Sequence, residues 1–428
     1  MFAQDSSLCP ADSILKSVPK VPLQLTNGEL MALVTYVLGN CPGCRRKDSF
    51  GNVDVFGGNH VFRGCKSCNY KERIPLPKLK KKIAYLDQFF FSHAFRGQEP
   101  RFLDAATRIQ RASALQLLIA PYSSIHEDET HLWSGRDELF RFIKTVSRGH
   151  SFRYAQEVHR FQLLRAFKAW RSNQTSGYEL EENDAFQDGI HGWDGYMRID
   201  VGRYLGDIEL IRSLKNESAE GLIGLFDGWR KKQTTFEANL QAEYEVAAKG
   251  YIDFYIQYLA RMTSGDHSAL LDSPIISMVV ESMTHVLSEE GVPADQWLRL
   301  CAQFLMQSEH FKQTPHQLLS ARMHATVKSM VQSGKFTNKE LAWKKFKGYF
   351  YDADHISTYA PYCDVFIMDQ LMADIVRQPT VGLEKRYGVK VFSLNNWPEF
   401  LEWLESLEQD ITPEHRAGLD AAYPSIAS

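Results

Sequence analysis

Two cysteine pairs restrict the fold of this 428-residue chain more than any other feature of its sequence. Cys41 and Cys44 form one CxxC pair, and Cys65 and Cys68 form a second pair after a gap of 20 residues. Two such knuckles can bring four thiolates into tetrahedral reach of one Zn²⁺ ion. Because four thiolates leave no open coordination position, we expect a structural zinc and not a catalytic one.

The segment between the two pairs has the pattern of a β-hairpin. Its turn sequence is Gly57-Gly58-Asn59. The apolar residues that flank this turn are Val53, Val55, Phe56, Val61 and Phe62. Such a hairpin between two knuckles predicts a zinc ribbon over residues 39–78. The alternatives are a redox-active dithiol and a chance pair of CxxC motifs.

The ribbon segment is also positively charged, although the whole chain has a formal net charge of -3. Residues 41–82 contain 11 Lys and Arg against 3 Asp and Glu, with aromatic residues among them. Basic and stacking side chains on one small module favour contact with nucleic acid, and docking of a protein partner is the alternative. A solvated surface is the interpretation that needs no partner.

Several classes of protein are disfavoured by what the sequence lacks. No apolar run approaches the ~18–20 residues that span a bilayer, so we expect no membrane partner. The first residues have neither a basic flank nor an apolar stretch of the kind found in signal peptides, and we therefore expect a cytoplasmic protein. Glycine-rich phosphate loops are also missing, which speaks against ATPase and dinucleotide chemistry.

Predicted strands lie at both ends of a long helical block. Short apolar strand patterns occur at 83–86, 117–120, 365–368 and 389–392. The block at about 131–345 has helical periodicity, clearest at 236–262, and a last helix is predicted at 397–408. The economical interpretation is one α/β domain whose sheet is built from both ends, with a helical insertion between them.

A carboxylate directly follows each of two predicted strands. Asp87 follows the strand at 83–86, and Asp369 follows the strand at 365–368. Ligands of parallel α/β sheets bind just outside the carboxyl ends of the strands, so both side chains are well placed for a shared site. The alternative is that each aspartate only caps the helix that follows it.

Another acidic stretch, at 121–130, follows the strand pattern at 117–120. Ser124 and Glu127 have the spacing of a capping box, so we expect Glu127 to be used at a helix start. Glu129 is then the acid of this stretch that remains available for a site. His126 is expected to be a structural hydrogen-bonding residue.

Several short pieces of the sequence resemble a PIN-like nuclease domain. They are Tyr85-Leu86-Asp87-Gln88, Asp352 with His355, Pro361-Tyr362-Cys363-Asp364 and Val365–Asp369. The similar region covers about 83–130 and 345–410. In that family a first Asp ends the first strand, a Glu lies on an early helix, an Asp opens a late helix, and a final Asp ends the next strand. The resemblance implies a parallel sheet flanked by helices, and the large helical insertion is a departure from the family pattern.

By position, the resemblance also implies which acids are catalytic and bind metal. The matching residues in family order are Asp87, Glu129, Asp352 and Asp369. Asp364 is an additional candidate for a catalytic acid and is not among the expected metal ligands. Glu127 is the alternative to Glu129, and Asp354 is the alternative to Asp352. Carboxylates held close together raise each other's pKa unless a cation neutralises them. Their hard oxygen atoms select Mg²⁺ or Mn²⁺, which can drive phosphodiester hydrolysis.

The hypothesis is therefore a metal-dependent endonuclease that favours RNA over DNA, suited to RNA turnover, a toxin or a phage-defence effector. The expected parts are an N-terminal extension (1–38), the zinc ribbon (39–78), a PIN-like domain in two pieces (79–130 and 345–412), the helical insertion (131–344) and a C-terminal tail (413–428). A non-catalytic zinc-ribbon adaptor that binds nucleic acid or protein is the main alternative. A flap-type DNA nuclease would share the same acids.

Overall fold

The computed structural model describes residues 34–54, 59–187, 189–194, 208–269 and 274–424. Four predicted features lie wholly or partly outside these ranges: the N-terminal extension up to residue 33, the tip of the ribbon hairpin at 55–58, residues 188, 195–207 and 270–273 of the helical insertion, and residues 425–428 of the tail. Within the described ranges, every helix is too short or too polar to traverse a lipid bilayer.

An antiparallel sheet forms the N-terminal part of the described chain. Its strands are β1 (Tyr36–Gly39), β2 (Phe50–Asp54), β3 (His60–Cys65) and β4 (Lys71–Pro75), in that spatial order. β2 and β3 pair antiparallel, which confirms the predicted hairpin. The two CxxC pairs lie at the same end of this sheet, because Phe50 of β2 stands opposite Cys65 of β3.

A small parallel sheet contains the strands that the sequence predicts. They are β5 (Lys82–Leu86), β6 (Leu118–Ile119), β7 (Val365–Ile367) and β8 (Lys390–Phe392). The spatial order is β6-β5-β7-β8, and every neighbouring pair is parallel. The sheet is thus built from both ends of the chain, as expected, with β5 and β7 in the middle.

Helices make up most of the described chain. Those before β7 are α1 (Gln88–Arg96), α2 (Pro100–Ala114), α3 (Ser124–His131), α4 (Arg136–Val146), α5 (Ala155–Arg171), α6 (Glu182–Ala185), α7 (Ile208–Lys231), α8 (Phe236–Thr263), α9 (Pro274–Glu289), α10 (Trp297–Gln307), α11 (Glu309–Lys312), α12 (Pro315–Gln332), α13 (Lys339–Phe346) and α14 (Tyr349–Tyr359). Those after β7 are α15 (Gln370–Val376), α16 (Leu383–Tyr387), α17 (Trp397–Gln409) and α18 (Pro413–Ala422). Pro100, Pro315 and Pro413 stand in first turns, where the missing amide hydrogen is not needed.

Helices cover both faces of the parallel sheet. Because alternate strand residues point to opposite sides, each face presents its own apolar side chains to the helices. Leu86 and Ile367 belong to a core that α1, α2, α4 and α17 complete. Tyr85 and Phe366, whose rings stack with centroids 4.3 Å apart, belong to a second core with α12 and α14. Helices from the predicted insertion therefore share a core with the sheet. A third core lies among α5, α8, α9 and α10.

The antiparallel sheet is fastened to the end of the described chain. Nδ2 of the buried Asn52 donates a hydrogen bond to the main-chain oxygen of Ala422, over 2.7 Å. The ring of Tyr36 meets that of Tyr423 edge-on, with centroids 5.6 Å apart. The region expected to be a tail thus contains a helix, α18, against which the ribbon packs.

A buried charge network lies just before the first residue of β5. Nζ of Lys81, whose side chain is 1% exposed, is 3.0 Å from Oδ1 of Asp194. Nε2 of His150 is 2.7 Å from Oδ2 of the same carboxylate. Burial alone would raise the pKa of Asp194, but the hydrogen bond from His150 and the charge of Lys81 hold it below its ordinary value.

Candidate functional site

Asp87 and Asp369 lie at the same edge of the parallel sheet. β5 and β7 are parallel neighbours in which Leu86 stands opposite Ile367, and the two aspartates follow those strand ends. Each also caps a helix: Oδ1 of Asp87 accepts from the amide of Gln88, and Oδ1 of Asp369 accepts from the amide of Met372. The capping interpretation is confirmed, and it leaves both carboxylates at the edge where ligands of parallel sheets bind.

Two further carboxylates, Glu129 of α3 and Asp352 in the first turn of α14, come close enough to alter the ionisation of the first two. Burial and the charges of Glu129 and Asp369 raise the pKa of Asp87 to about 8. Burial and the charges of the other three carboxylates raise the pKa of Asp352 well above its ordinary value. The pKa of Asp369, the most exposed of the four, is also raised by partial loss of water. We call these four residues the carboxylate cluster.

The carboxylate cluster is open, not a closed cage. Among the described residues, no three of its members have oxygen atoms that all lie within 4.8 Å of one another. The raised pKa values show that the like charges nevertheless act on each other at the distances present. Carboxylates that destabilise each other in this way are the expected environment for a divalent cation.

Lys215 of α7 supplies a positive charge to the carboxylate cluster. Its Nζ is 2.7 Å from Oε1 of Glu129 and 4.7 Å from the centroid of the Tyr351 ring. Its charge acts against the raised pKa values of Asp87 and Asp352. Lys215 is not among the predicted site residues, because no local sequence pattern connects a lysine within a helix with acids far along the chain.

His126 connects α3 to the end of β5. The amide of Ser123 donates to Nδ1 of His126 over 2.9 Å, and Nε2 of His126 lies 2.7 Å from the main-chain oxygen of Leu86. Burial lowers the pKa of His126 to about 4, so the ring is neutral near pH 7 and donates from Nε2. The structural role expected for His126 is confirmed, and it fixes the helix that carries Glu129.

The predicted capping box is wrong by one residue. The N-cap of α3 is Ser123, not Ser124, and the third helical residue is His126, not Glu127. The imidazole acts as the acceptor that a Glu or Gln side chain provides in a usual capping box. Glu127 instead lines a cavity of about 410 Å³.

Asp364 was expected as an additional acid of the site, but it lies away from the carboxylate cluster. It precedes β7, and the residue before a short strand lies at the opposite end from the residue after it. Its carboxylate accepts a hydrogen bond from Nζ of Lys82 over 2.7 Å and from the amide of Ile83 over 2.9 Å, at the beginning of β5. Asp364 therefore pairs with the other edge of the sheet, away from the strand ends that Asp87 and Asp369 follow.

Asp354, the alternative to Asp352, has different surroundings. Its Oδ1 is 3.0 Å from Nε2 of His316 at the start of α12. Residues two positions apart on a helix point to different sides, which explains why the two aspartates of α14 have different partners. The carboxylate cluster contains Asp352.

Cavities with basic and aromatic walls adjoin the carboxylate cluster on two sides. The first has a volume of about 620 Å³ and is bordered by Asp369; its basic and aromatic lining residues are Lys335, Phe336, Lys344, Lys345 and Arg377. The second has a volume of about 270 Å³ and is bordered by Glu129; its basic and aromatic lining residues are Phe95, Arg96 and Trp133. Acids in the centre are thus flanked by groups that can attract phosphate and stack on rings.

The four paired cysteines form a group that could hold a metal ion such as zinc. The sulfur atoms of Cys41 and Cys68 are 3.6 Å apart, and those of Cys44 and Cys65 are 3.7 Å apart. Tetrahedral zinc with Zn–S bonds of about 2.3 Å requires sulfur atoms roughly 3.8 Å apart. Burial opposes ionisation of Cys65, but hydrogen bonds from Ser49 and from the amide at position 67 lower its pKa to about 6. The donor set and its spacing therefore suit Zn²⁺.

Comparisons of this chain with protein-family models, with curated proteins and with solved structures found no match. Relatives therefore contribute nothing to the interpretation of the carboxylate cluster. What supports a function is the position, the charge and the surroundings of the residues described above.

Proposed function

We propose that this chain is a metal-dependent endonuclease of the PIN-like type, and that the carboxylate cluster binds one or two Mg²⁺ or Mn²⁺ ions. The observation that carries the proposal is the grouping of four carboxylates at the carboxyl edge of a parallel sheet, where burial and the charges of Glu129 and Asp369 raise the pKa of Asp87 to about 8. Divalent cations with a preference for oxygen ligands relieve this repulsion. Parallel sheets bind their ligands at this edge.

The residues of the cluster have distinct roles in the proposed reaction. Asp87, Glu129, Asp352 and Asp369 would hold the ions, and a bound Mg²⁺ or Mn²⁺ would supply activation of water and charge stabilisation for the leaving oxygen of the phosphodiester. Lys215 lies beside Glu129 and can donate to a phosphate oxygen. Because Oδ1 of both Asp87 and Asp369 accepts a hydrogen bond from a helix amide, the two carboxylates are held in fixed positions.

The surroundings of the cluster favour a nucleic-acid substrate. Lys335 and Lys345 are exposed in the cavity beside Asp369 and can neutralise phosphates. Phe336 and Trp133 line the two cavities, where rings of this kind stack on unpaired bases. Single-stranded nucleic acid fits such walls better than a duplex, whose bases are already stacked. RNA is preferred over DNA on the basis of the sequence resemblance.

One observation favours a second candidate function. Lys215 already pairs with Glu129, so part of the negative charge is compensated within the protein. In that case the chain would be a non-catalytic adaptor, and the zinc ribbon would contact nucleic acid or a protein partner through exposed basic residues such as Arg45 and Lys47.

Cleavage of a substrate panel with Mn²⁺ tests the two candidates. The panel contains single-stranded RNA, single-stranded DNA and a DNA flap. We expect wild-type protein to cut, EDTA to stop cutting, and the Asp87→Asn, Asp369→Asn double variant to be inactive. Asp364→Asn is the matched control, since it changes an aspartate at the opposite end of β7. Binding of the panel without cutting by any form would favour the adaptor.

A further inference from the structure

A second group of residues whose side chains can bind metal ions lies apart from the carboxylate cluster and the cysteines. It consists of His159 on α5, His316 at the start of α12 and Asp354 on α14. One ligand atom from each residue lies within 4.8 Å of the other two. The three residues are far apart in sequence and come from three different helices, so the fold brings them together.

The distances in this group are those of ligands around one small cation. Oδ1 of Asp354 is 3.0 Å from Nε2 of His316 and 3.8 Å from Nε2 of His159. A tetrahedral zinc ion with bonds of about 2.0–2.1 Å to nitrogen and oxygen keeps its ligand atoms roughly 3.3 Å apart. The two observed distances bracket this value, so small side-chain movements are enough to form the site.

The two imidazole rings face the same carboxylate from one side. Their centroids are 3.5 Å apart and their planes are inclined by 36°. Each histidine side chain is only 13% exposed, whereas the Asp354 side chain is 39% exposed. The imidazoles are thus withdrawn from water, and the carboxylate leaves a path by which an ion and a water ligand can reach them.

Neighbouring polar groups can orient these ligands. Nδ1 of His316 is 3.3 Å from the side-chain nitrogen Nε2 of Gln317. If the side-chain amide of Gln317 is rotated by 180°, its oxygen can accept a hydrogen bond from a protonated Nδ1 of His316. Oγ1 of Thr358 is 2.6 Å from Nε2 of His159 and donates to the main-chain oxygen of Asp354, so without metal Nε2 of His159 donates to Thr358, and it exchanges this bond for the ion when metal binds. In the metal-free protein these contacts form a hydrogen-bond network.

We propose that His159, His316 and Asp354 form a second metal site that binds Zn²⁺ or a related transition-metal ion. Two imidazoles and one carboxylate suit zinc, and three protein ligands leave a fourth position for water. The ion cross-links α5, α12 and α14. Because Asp352 lies on α14, the site also fixes the helix that supplies one acid of the carboxylate cluster. This site does not depend on the proposed nuclease activity.

Metal stoichiometry tests the second site. Full-length protein is stripped of metal, saturated with Zn²⁺, freed of excess ion and analysed by mass spectrometry. We expect two zinc ions per chain for wild type, and one each for His316→Gln, His159→Gln and the Cys41→Ser, Cys44→Ser double variant. The control is His285→Gln, which changes an exposed histidine of α9 and keeps both ions.

The absorption spectrum of the cobalt-loaded wild-type protein distinguishes the two sites without relying on variants that misfold. A cysteine site gives intense thiolate-to-cobalt bands, whereas a site of two imidazoles and a carboxylate gives only weak visible bands. We expect both kinds in wild type, and only the weak bands in the double cysteine variant. One equivalent of metal in wild type, with thiolate bands alone, would overturn the proposal. So would retention of both zinc ions by the two histidine variants.

Discussion

Lys215 donates a hydrogen bond to Glu129 over 2.7 Å, so a lysine of α7 neutralises one member of the carboxylate cluster. The side chain of Lys215 is only 12% exposed, and that of Glu129 is 25% exposed. This ion pair is therefore shielded from water, and its loss would leave the remaining carboxylates with greater mutual repulsion.

Replacement of Lys215 is expected to destabilise the protein when Mg²⁺ and Mn²⁺ are absent. Lys215→Met should lower the free energy of unfolding at pH 7.5 by about 1–3 kcal/mol, because Glu129 loses its partner. Addition of Mn²⁺ should raise the melting temperature of the variant more than that of wild type, because the ion then supplies the missing charge. Thermal unfolding with and without Mn²⁺ measures both effects.

Lys312→Met is the matched control for this experiment. Lys312 also pairs with a glutamate, Glu309 at 2.8 Å, and lies over an aromatic ring, but it belongs to α11. Mn²⁺ should affect this variant and wild type equally. An equal response of the Lys215 variant and the Lys312 variant would show that Lys215 does not act on a cation site.

Asp87→Asn is expected to stabilise the protein at high pH in buffer without Mg²⁺ or Mn²⁺. The pKa of Asp87 in the folded protein, about 8, lies above its ordinary value near 3.9, so ionisation of Asp87 weakens folding as pH rises between these values. Asparagine cannot ionise but still caps α1. We expect a gain of about 1–3 kcal/mol at pH 8 and none near pH 4.

Urea unfolding over this pH range checks the prediction. The wild-type free energy of unfolding should fall with rising pH more steeply than that of the variant. Asp364→Asn again serves as a control, since Asp364 faces Lys82 at the opposite sheet edge. Parallel curves for wild type and Asp87→Asn would contradict the raised pKa.

The network of Lys81 and Asp194 should show the opposite dependence on pH. The pKa of Asp194 is held below its ordinary value, so its ionic contacts stabilise the fold above that value and are lost as pH falls below about 4. Lys81→Met should cost about 3–5 kcal/mol at pH 7 and much less at the acid end. Lys80→Met, a change in the exposed neighbour, should have little effect in the same urea titration.

Removal of one paired cysteine should unfold the antiparallel sheet and spare the helices. Cys44→Ser removes one of four thiolates, so we expect loss of one zinc ion per chain and rapid proteolysis between residues 34 and 75. The helical circular dichroism signal should change little, because the helices lie outside this region. Cys301→Ser, at a buried cysteine of α10, should keep the metal. Full protease resistance of Cys44→Ser would contradict a structural role.

The sequence was sufficient to predict the parallel sheet and the positions of Asp87 and Asp369. Both follow from a local signal, a short apolar strand with an acid directly after it, and strand ends of a parallel sheet meet at one edge. The misplacement of Asp364 shows the limit of this signal. Nearness to a strand in sequence does not make an acid part of the site, since a residue before the strand lies at its other end.

Residues recruited from helices could not be predicted in the same way. Lys215 and His159 each stand in an ordinary helical stretch, and their partners are chosen by how the helices pack. The pair of His126 and Leu86 depends on the cap of α3 beginning at Ser123, which neighbouring serines make ambiguous in the sequence. Long-range packing therefore decides these contacts.

The pairing of β5 with β7 has a consequence for synthesis of the chain. Ile83 and Asp364, which meet at the beginning of these strands, are 281 residues apart. A ribosome that adds about 5–20 residues per second needs roughly 15–60 s to make this stretch. Until residue 352 has been added, the nascent chain carries Asp87 and Glu129 without Asp352 or Asp369. A site that needs all four acids therefore cannot be complete until the last strands have left the ribosome.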